Sequence, residues 1–200
     1  MKDNKTFVRL TNIPPRLMSI RDLSAESREK VHDTVSYAMS QNSETDIKQV
    51  TERCVIAILA EQYVAEWLNG YVMHGEEDLE DPWTYAFDVL AGPEYYGMRI
   101  EVKTHQSASK YISVNTGHVG PFKGSTGINL RPFIEQPQAD LIIIFDTERQ
   151  PSGWLIKPYM LSDKDSLVYP GIIVKSKFEG YYINQYVNTV TKNKLNIFYF

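Results

Sequence analysis

A single cysteine, Cys54, is all the chain offers for sulfur chemistry. One thiol cannot build an intrachain disulfide framework, and a lone thiol on the apolar face of a helix suits a reducing cytosol. No apolar run approaches the length of a membrane span, and the polar N-terminus carries nothing like a signal peptide. The expectation is a cytoplasmic protein with no membrane partner. An excess of positive charge is missing too: the formal net charge is −4, which argues against a nonspecific coat for nucleic acid. It does not exclude chemistry on nucleic acid, because an acidic metal site lowers the net charge while basic residues elsewhere meet phosphate. There is no internal repeat and no low-complexity tract. What remains is 200 residues at 42% hydrophobic content, enough for one ordinary domain with a real core.

The chain is organised around two stretches, Tyr85 to Leu90 and Met98 to Thr104. Both alternate side-chain character, as strands with one buried face do. Ala91 to Gly97 between them contains Gly92-Pro93 and Gly97, which suit a hairpin connection. A period of two puts Glu101 and Lys103 on one face, with Ile100 and Val102 on the other. The hairpin brings Asp88 beside that pair. Two carboxylates and an ammonium then converge at the end of a small sheet, a grouping suited to a divalent cation. An E-x-K triplet taken alone is as readily an ordinary surface pair.

A third acidic residue strengthens the grouping. Ile47 to Leu68 has neither Gly nor Pro and reads as one long helix. At about 100° per residue, Val50, Cys54, Ala57, Ala65 and Leu68 all fall near Glu61, whereas Glu52 and Glu66 fall on the far side. Glu61 sits inside the apolar stripe, where an unpaired charge is costly, so it needs a cation, a proton or a deep hydrogen-bonding partner. A structural ion pair would satisfy it; so would a metal or a catalytic lysine.

Asp88, twelve intervening residues, then Glu101-Val102-Lys103, preceded by a helix bearing Glu61, resembles the core of the PD-(D/E)XK nuclease superfamily. The resemblance spans Gln49 to Trp154 and departs in having Phe87, not Pro, before Asp88. It implies an α/β (α+β) restriction-endonuclease-like core, a mixed central sheet flanked by helices in the order αβββαβ. It implies that Asp88, Glu101 and Lys103 are catalytic. Mg²⁺, replaceable by Mn²⁺, would be held by Asp88, Glu101, the Val102 carbonyl and Glu61. The metal would acidify a water and neutralise charge on the scissile phosphate, while Lys103 positions or deprotonates that water and stabilises the transition state. The implied partner is DNA, the implied activity that of a metal-dependent endonuclease. The alternatives are a recombination- or phage-type exonuclease and a catalytically silent nucleic-acid-binding module of the same fold. A metal-free hydrolase such as a glycosidase is disfavoured by the lysine. By the same resemblance Gln106 belongs beside the site, and Lys110 and Lys123 are candidate phosphate contacts. Cutting both strands calls for two sites, so a homodimer is expected.

Around this core, residues 1–46 are expected as an N-terminal accessory segment, 47–160 as the nuclease core and 161–200 as a C-terminal extension packed on it. Phe7 to Leu10 reads as a short strand, and Ser24 as the cap of a helix to about Met39. Gln41 to Thr45 is a polar linker, Tyr71 to Met73 a strand, and the acidic run Glu76, Glu77, Asp78, Glu80 and Asp81 a solvated loop. His105 reads as a structural hydrogen-bonder more than a general base. Gly117 to Gly127 is glycine-rich but is not a P-loop, since Lys123-Gly124-Ser125 reverses the G-K-[ST] order. Ile128 to Glu135 reads as a short helix. The unbroken apolar run in Ala139 to Asp146 marks a strand buried on both faces, with a parallel neighbour reached by a crossover through Ser107 to Pro137. Gly153 to Lys157 follows as another strand. The tail, Gly171 to Phe200, interleaves aromatics with Lys175, Lys177, Lys192 and Lys194. It reads as a nucleic-acid contact or as a β element completing the core.

Overall fold

The computed structural model describes residues 4–40, 46–74, 87–135, 138–177 and 179–200. In chain order, α1 (Lys5–Leu10), β1 (Arg16–Met18), α2 (Ala25–Ser40) and α3 (Ile47–Trp67) are followed by β2 (Tyr71–Val72), β3 (Val89–Leu90) and β4 (Arg99–His105). Next come β5 (Ser113–Asn115), β6 (Ile128–Asn129), α4 (Arg131–Glu135), β7 (Leu141–Gln150) and β8 (Gly153–Ser162). The last elements are α5 (Lys164–Leu167), β9 (Ile173–Lys175), β10 (Tyr181–Ile183), α6 (Thr189–Lys194) and β11 (Ile197–Tyr199). The fold is mixed α/β; α3, β2, β3, β4, α4 and β7 follow the expected αβββαβ order, but β5 and β6 are inserted between β4 and α4.

The main sheet runs β1-β8-β7-β4-β3-β2, with β11 also paired to β8. Its centre is the parallel pair β4–β7, in which Glu101 lies opposite Ile142 and Lys103 opposite Ile144. The crossover joining those two strands builds β5 and β6, which join β9 and β10 of the tail in a second sheet, β6-β5-β10-β9. β7 is the wall between two cores. Leu141, Ile143 and Phe145 face α3 and pack with Ile100 and Val102. Ile142 and Ile144 face the second sheet, with Val114, Phe133 and Ile183. Glu101 and Lys103 share the register of Ile142 and Ile144, so they lie on the side of the second sheet.

Several local expectations shift. Phe7 to Leu10 is helical because the Asn4 side chain accepts from the Thr6 and Phe7 amides and so caps α1. Ser24 does cap α2, accepting from the Ser27 amide at 3.1 Å. Ile128 to Glu135 divides into β6 and α4, with Pro132 in the first turn of α4, where no intrahelical donor is needed. The strand expected from Tyr85 begins only at Val89 among the described residues, and Asp88 is a bend ahead of it. Tyr85 and Ala86, the acidic run 76–81 and the linker 41–45 lie outside the described residues. The two terminal segments meet on β8, since β1 and β11 both pair with it. Among the described residues no helix is long and apolar enough to cross a membrane.

Candidate active site

The β3–β4 connection is tight. The Ala91 amide donates to the Met98 carbonyl at 2.9 Å, and the turn closes through Tyr96 and Gly97 at φ 61° and 57°, where a glycine is favoured. Just ahead of β3, Asp88 is fastened to β4 twice. Its amide donates to the Ile100 carbonyl at 3.0 Å, and its Oδ2 accepts from the Val102 amide at 2.7 Å. That second bond explains the bend: the side chain takes the ladder position that a neighbouring strand residue would occupy. Because the N–H and C=O of a strand residue project to the same edge, the Val102 carbonyl is directed to the Asp88 side.

Lys103 ties the group together. Its Nζ lies 2.6 Å from Glu101 Oε1 and 3.7 Å from Asp88 Oδ2. Glu101 is only 3% exposed, more enclosed than a polar strand face would suggest. Burial first, and then the neighbouring Asp88 charge, push its carboxyl up to about 7 against the pull of Lys103. For Lys103 burial acts downward, but Asp88, Glu101 and Glu61 outweigh it and hold the ammonium well above the ordinary lysine range. A lysine so held positions and stabilises negative charge; it is a poor base in this arrangement.

Glu61 sits on α3, 7% exposed, and its partner is a residue that the sequence pattern did not single out. Lys30 of α2 places Nζ 2.6 Å from Glu61 Oε2 and donates to the Met73 carbonyl at 2.7 Å. The Glu61 carboxyl is pushed up to about 7, mainly by burial, with Lys30 opposing and Asp88 adding to the rise. The sequence held no local signal for it: Lys30 lies three positions after Ser27, and only the structure shows Ser27 to be the buried residue of α2.

The donor set suits a hard cation. Among the described residues no three His, Cys, Asp or Glu side chains form a ready cage; Asp88 and Glu101 meet at Lys103, and Glu61 meets Lys30. Two carboxylates and a carbonyl, with water and substrate phosphate completing the shell, are what Mg²⁺ commonly takes. Two carboxylates in one buried corner are also relieved by a cation.

The other singled-out residues lie further out. Gln106 donates its side-chain amide to Thr104 Oγ1 at 2.8 Å and to the Arg53 carbonyl of α3 at 3.1 Å. Lys110 and Lys123 are exposed on either side of β5 and form no ion pair with Asp88 or Glu101. His105, 6% exposed, pairs through Nδ1 with Asp146 at 3.0 Å, and Lys157 holds the other Asp146 oxygen at 3.2 Å. It is a cross-strand hydrogen-bonder. In the tail, Ile172, Ile173, Ile183, Leu195 and Ile197 are buried, so this segment completes the second core.

A model of the family described as bacteriophage T4 endonuclease IV matches residues 1–185. The chain is also 45% identical over 184 residues to a protein of Enterobacteria phage T4 named Endonuclease IV, an alignment covering 92% of this chain and 98% of that protein. No solved structure matches the chain.

Proposed function

The chain belongs to the bacteriophage T4 endonuclease IV family, and from that premise we propose that Asp88, Glu101 and Lys103 hydrolyse DNA phosphodiester bonds in a divalent-cation-dependent reaction. We infer further that the core is of the PD-(D/E)XK, restriction-endonuclease-like type. The observation that carries the reading is the Lys103 ammonium set between the Glu101 and Asp88 carboxylates, 2.6 Å from one and 3.7 Å from the other.

Asp88, Glu101 and the Val102 carbonyl would hold Mg²⁺ or Mn²⁺, which supplies charge neutralisation at the phosphate and a more nucleophilic water. The protein's own part is placement. The Val102 amide fixes the Asp88 carboxylate, and burial fixes Glu101. Lys103, kept charged by its acidic neighbours, faces the negative charge that builds on the phosphate oxygens. Glu61, engaged by Lys30 at 2.6 Å, acts on this group from behind. Lys110 and Lys123, exposed and outside the carboxylate group, are free to meet flanking phosphates; Gln106 orders the end of β4 against α3. The reading extends to a cytoplasmic site of action and to a homodimer, the latter on symmetry alone.

The test is DNA cleavage by the purified protein with Mg²⁺, with EDTA, and with Mg²⁺ restored. Cleavage that EDTA stops and Mg²⁺ revives is the expected result. Cleavage that persists in EDTA would overturn metal dependence, and DNA binding without any cleavage would favour a silent binding module.

A further inference from the structure

Lys30 belongs to no catalytic assignment made so far, and its surroundings are unusual for a lysine. Of the sixteen residues of α2 only Ser27 is fully buried, so no broad apolar stripe holds this helix down. Yet the Lys30 side chain is just 16% exposed, a costly place for an ammonium unless it is well partnered. It has two partners: Glu61 Oε2 at 2.6 Å and the Met73 carbonyl at 2.7 Å. Met73 leads on toward the active site. Its amide donates to the Asp88 carbonyl at 2.9 Å, the Asp88 amide donates to the Ile100 carbonyl at 3.0 Å, and the Asp88 carboxylate accepts from the Val102 amide at 2.7 Å. The second partner leads to the same place, because Glu61 is close enough to Asp88 and Lys103 for their charges to act on it.

We propose that Lys30 is a positioning residue of the nuclease site, gripping Glu61 and the Met73 carbonyl together so that the Asp88 backbone and its carboxylate are held against β4. This makes α2 part of the catalytic unit. An ion pair that only docked one helix on another would need Glu61 alone. The second bond, to a backbone that itself holds Asp88, is what ties Lys30 to the chemistry. The inference rests on Asp88 being catalytic, and the experiment separates the two claims.

Lys30→Met, Lys30→Gln and Lys30→Arg are compared with wild type and with Asp88→Asn on circular DNA, both duplex and heat-denatured, well below each protein's melting temperature. Lys30→Met is expected to lower kcat by roughly 10- to 100-fold with KM for DNA within about twofold of wild type, as suits a residue that touches no substrate. Lys30→Arg, which keeps the charge and both acceptors in reach, should recover most of the rate. Calorimetric titration with Ca²⁺ should show weaker binding to Lys30→Met than to wild type. Should methionine prevent folding, Lys30→Gln carries the test. Its shorter, uncharged amide cannot hold Glu61 and the Met73 carbonyl together, so kcat should fall as in Lys30→Met, while Glu61 can take up a proton and leave no unpaired buried charge. Wild-type kcat in either folded variant, whatever its melting temperature, would overturn the proposal and leave Lys30 a structural residue. Undiminished cleavage by Asp88→Asn would instead overturn the site on which it rests.

Discussion

Asp88 is where backbone order and site chemistry meet. Its carboxylate accepts the Val102 amide and at the same time raises the carboxyls of Glu101 and Glu61. Asparagine at this position keeps an acceptor for that amide and removes the charge, while Lys103 keeps Glu101 at 2.6 Å. Asp88→Asn should therefore melt about 2–4 °C higher than wild type without metal, for a gain on the order of 1 kcal/mol. In the same protein the calorimetric signal of Mg²⁺ binding should vanish. A lower melting temperature together with unchanged Mg²⁺ affinity would remove Asp88 from the metal site.

At the scale of elements, what could be read from the sequence is what local pattern determines. α3 was legible because its helix has no breaker and its apolar stripe is unambiguous. β7 was legible because five successive apolar residues, Leu141 to Phe145, are buried on both sides. Its parallel pairing with β4 followed from the length of the crossover. Glu61 could be recognised as needing a partner, but the identity of that partner depends on how α2 docks on α3, which no local pattern encodes. The second sheet was illegible for the same reason: it joins residues 113–129 to 173–183 through strands of two or three residues. Asp88 was placed inside a strand because alternation cannot show that a side chain will replace a backbone acceptor. The α2–α3 contact carries its own prediction. Glu61→Gln keeps volume and an acceptor while removing a charge that burial opposes, so the metal-free protein should melt about 2–4 °C higher than wild type at pH 8 and level with it at pH 5. A melting temperature below wild type at both pH values would show instead that the Lys30 ammonium depends on the Glu61 charge.

For the molecule as a whole, two buried carboxyls that titrate near 7 set the pH dependence of stability. In the unfolded chain both titrate near the ordinary glutamate value of 4.5. Between about 4.5 and 7 the folded state therefore binds more protons than the unfolded one. Their contribution is fully present below this window and is lost as pH rises through it. The metal-free protein should melt roughly 5 °C higher at pH 5 than at pH 8, a difference on the order of 2 kcal/mol. Mg²⁺ should recover much of the loss at pH 8, and Glu101→Gln should flatten the profile. A melting temperature that climbs from pH 5 to pH 8, alike in wild type and Glu101→Gln, would contradict this assignment. The central claim, that DNA is cut at the corner formed by Asp88, Glu101 and Lys103, is tested most directly by the cleavage rate of Lys103→Ala. Glu101 can take a proton once its ammonium neighbour is gone, so the variant should fold and bind DNA much as wild type does. Its kcat should fall by at least about 100-fold. A folded Lys103→Ala that cleaves within a few-fold of the wild-type rate would place the active site elsewhere.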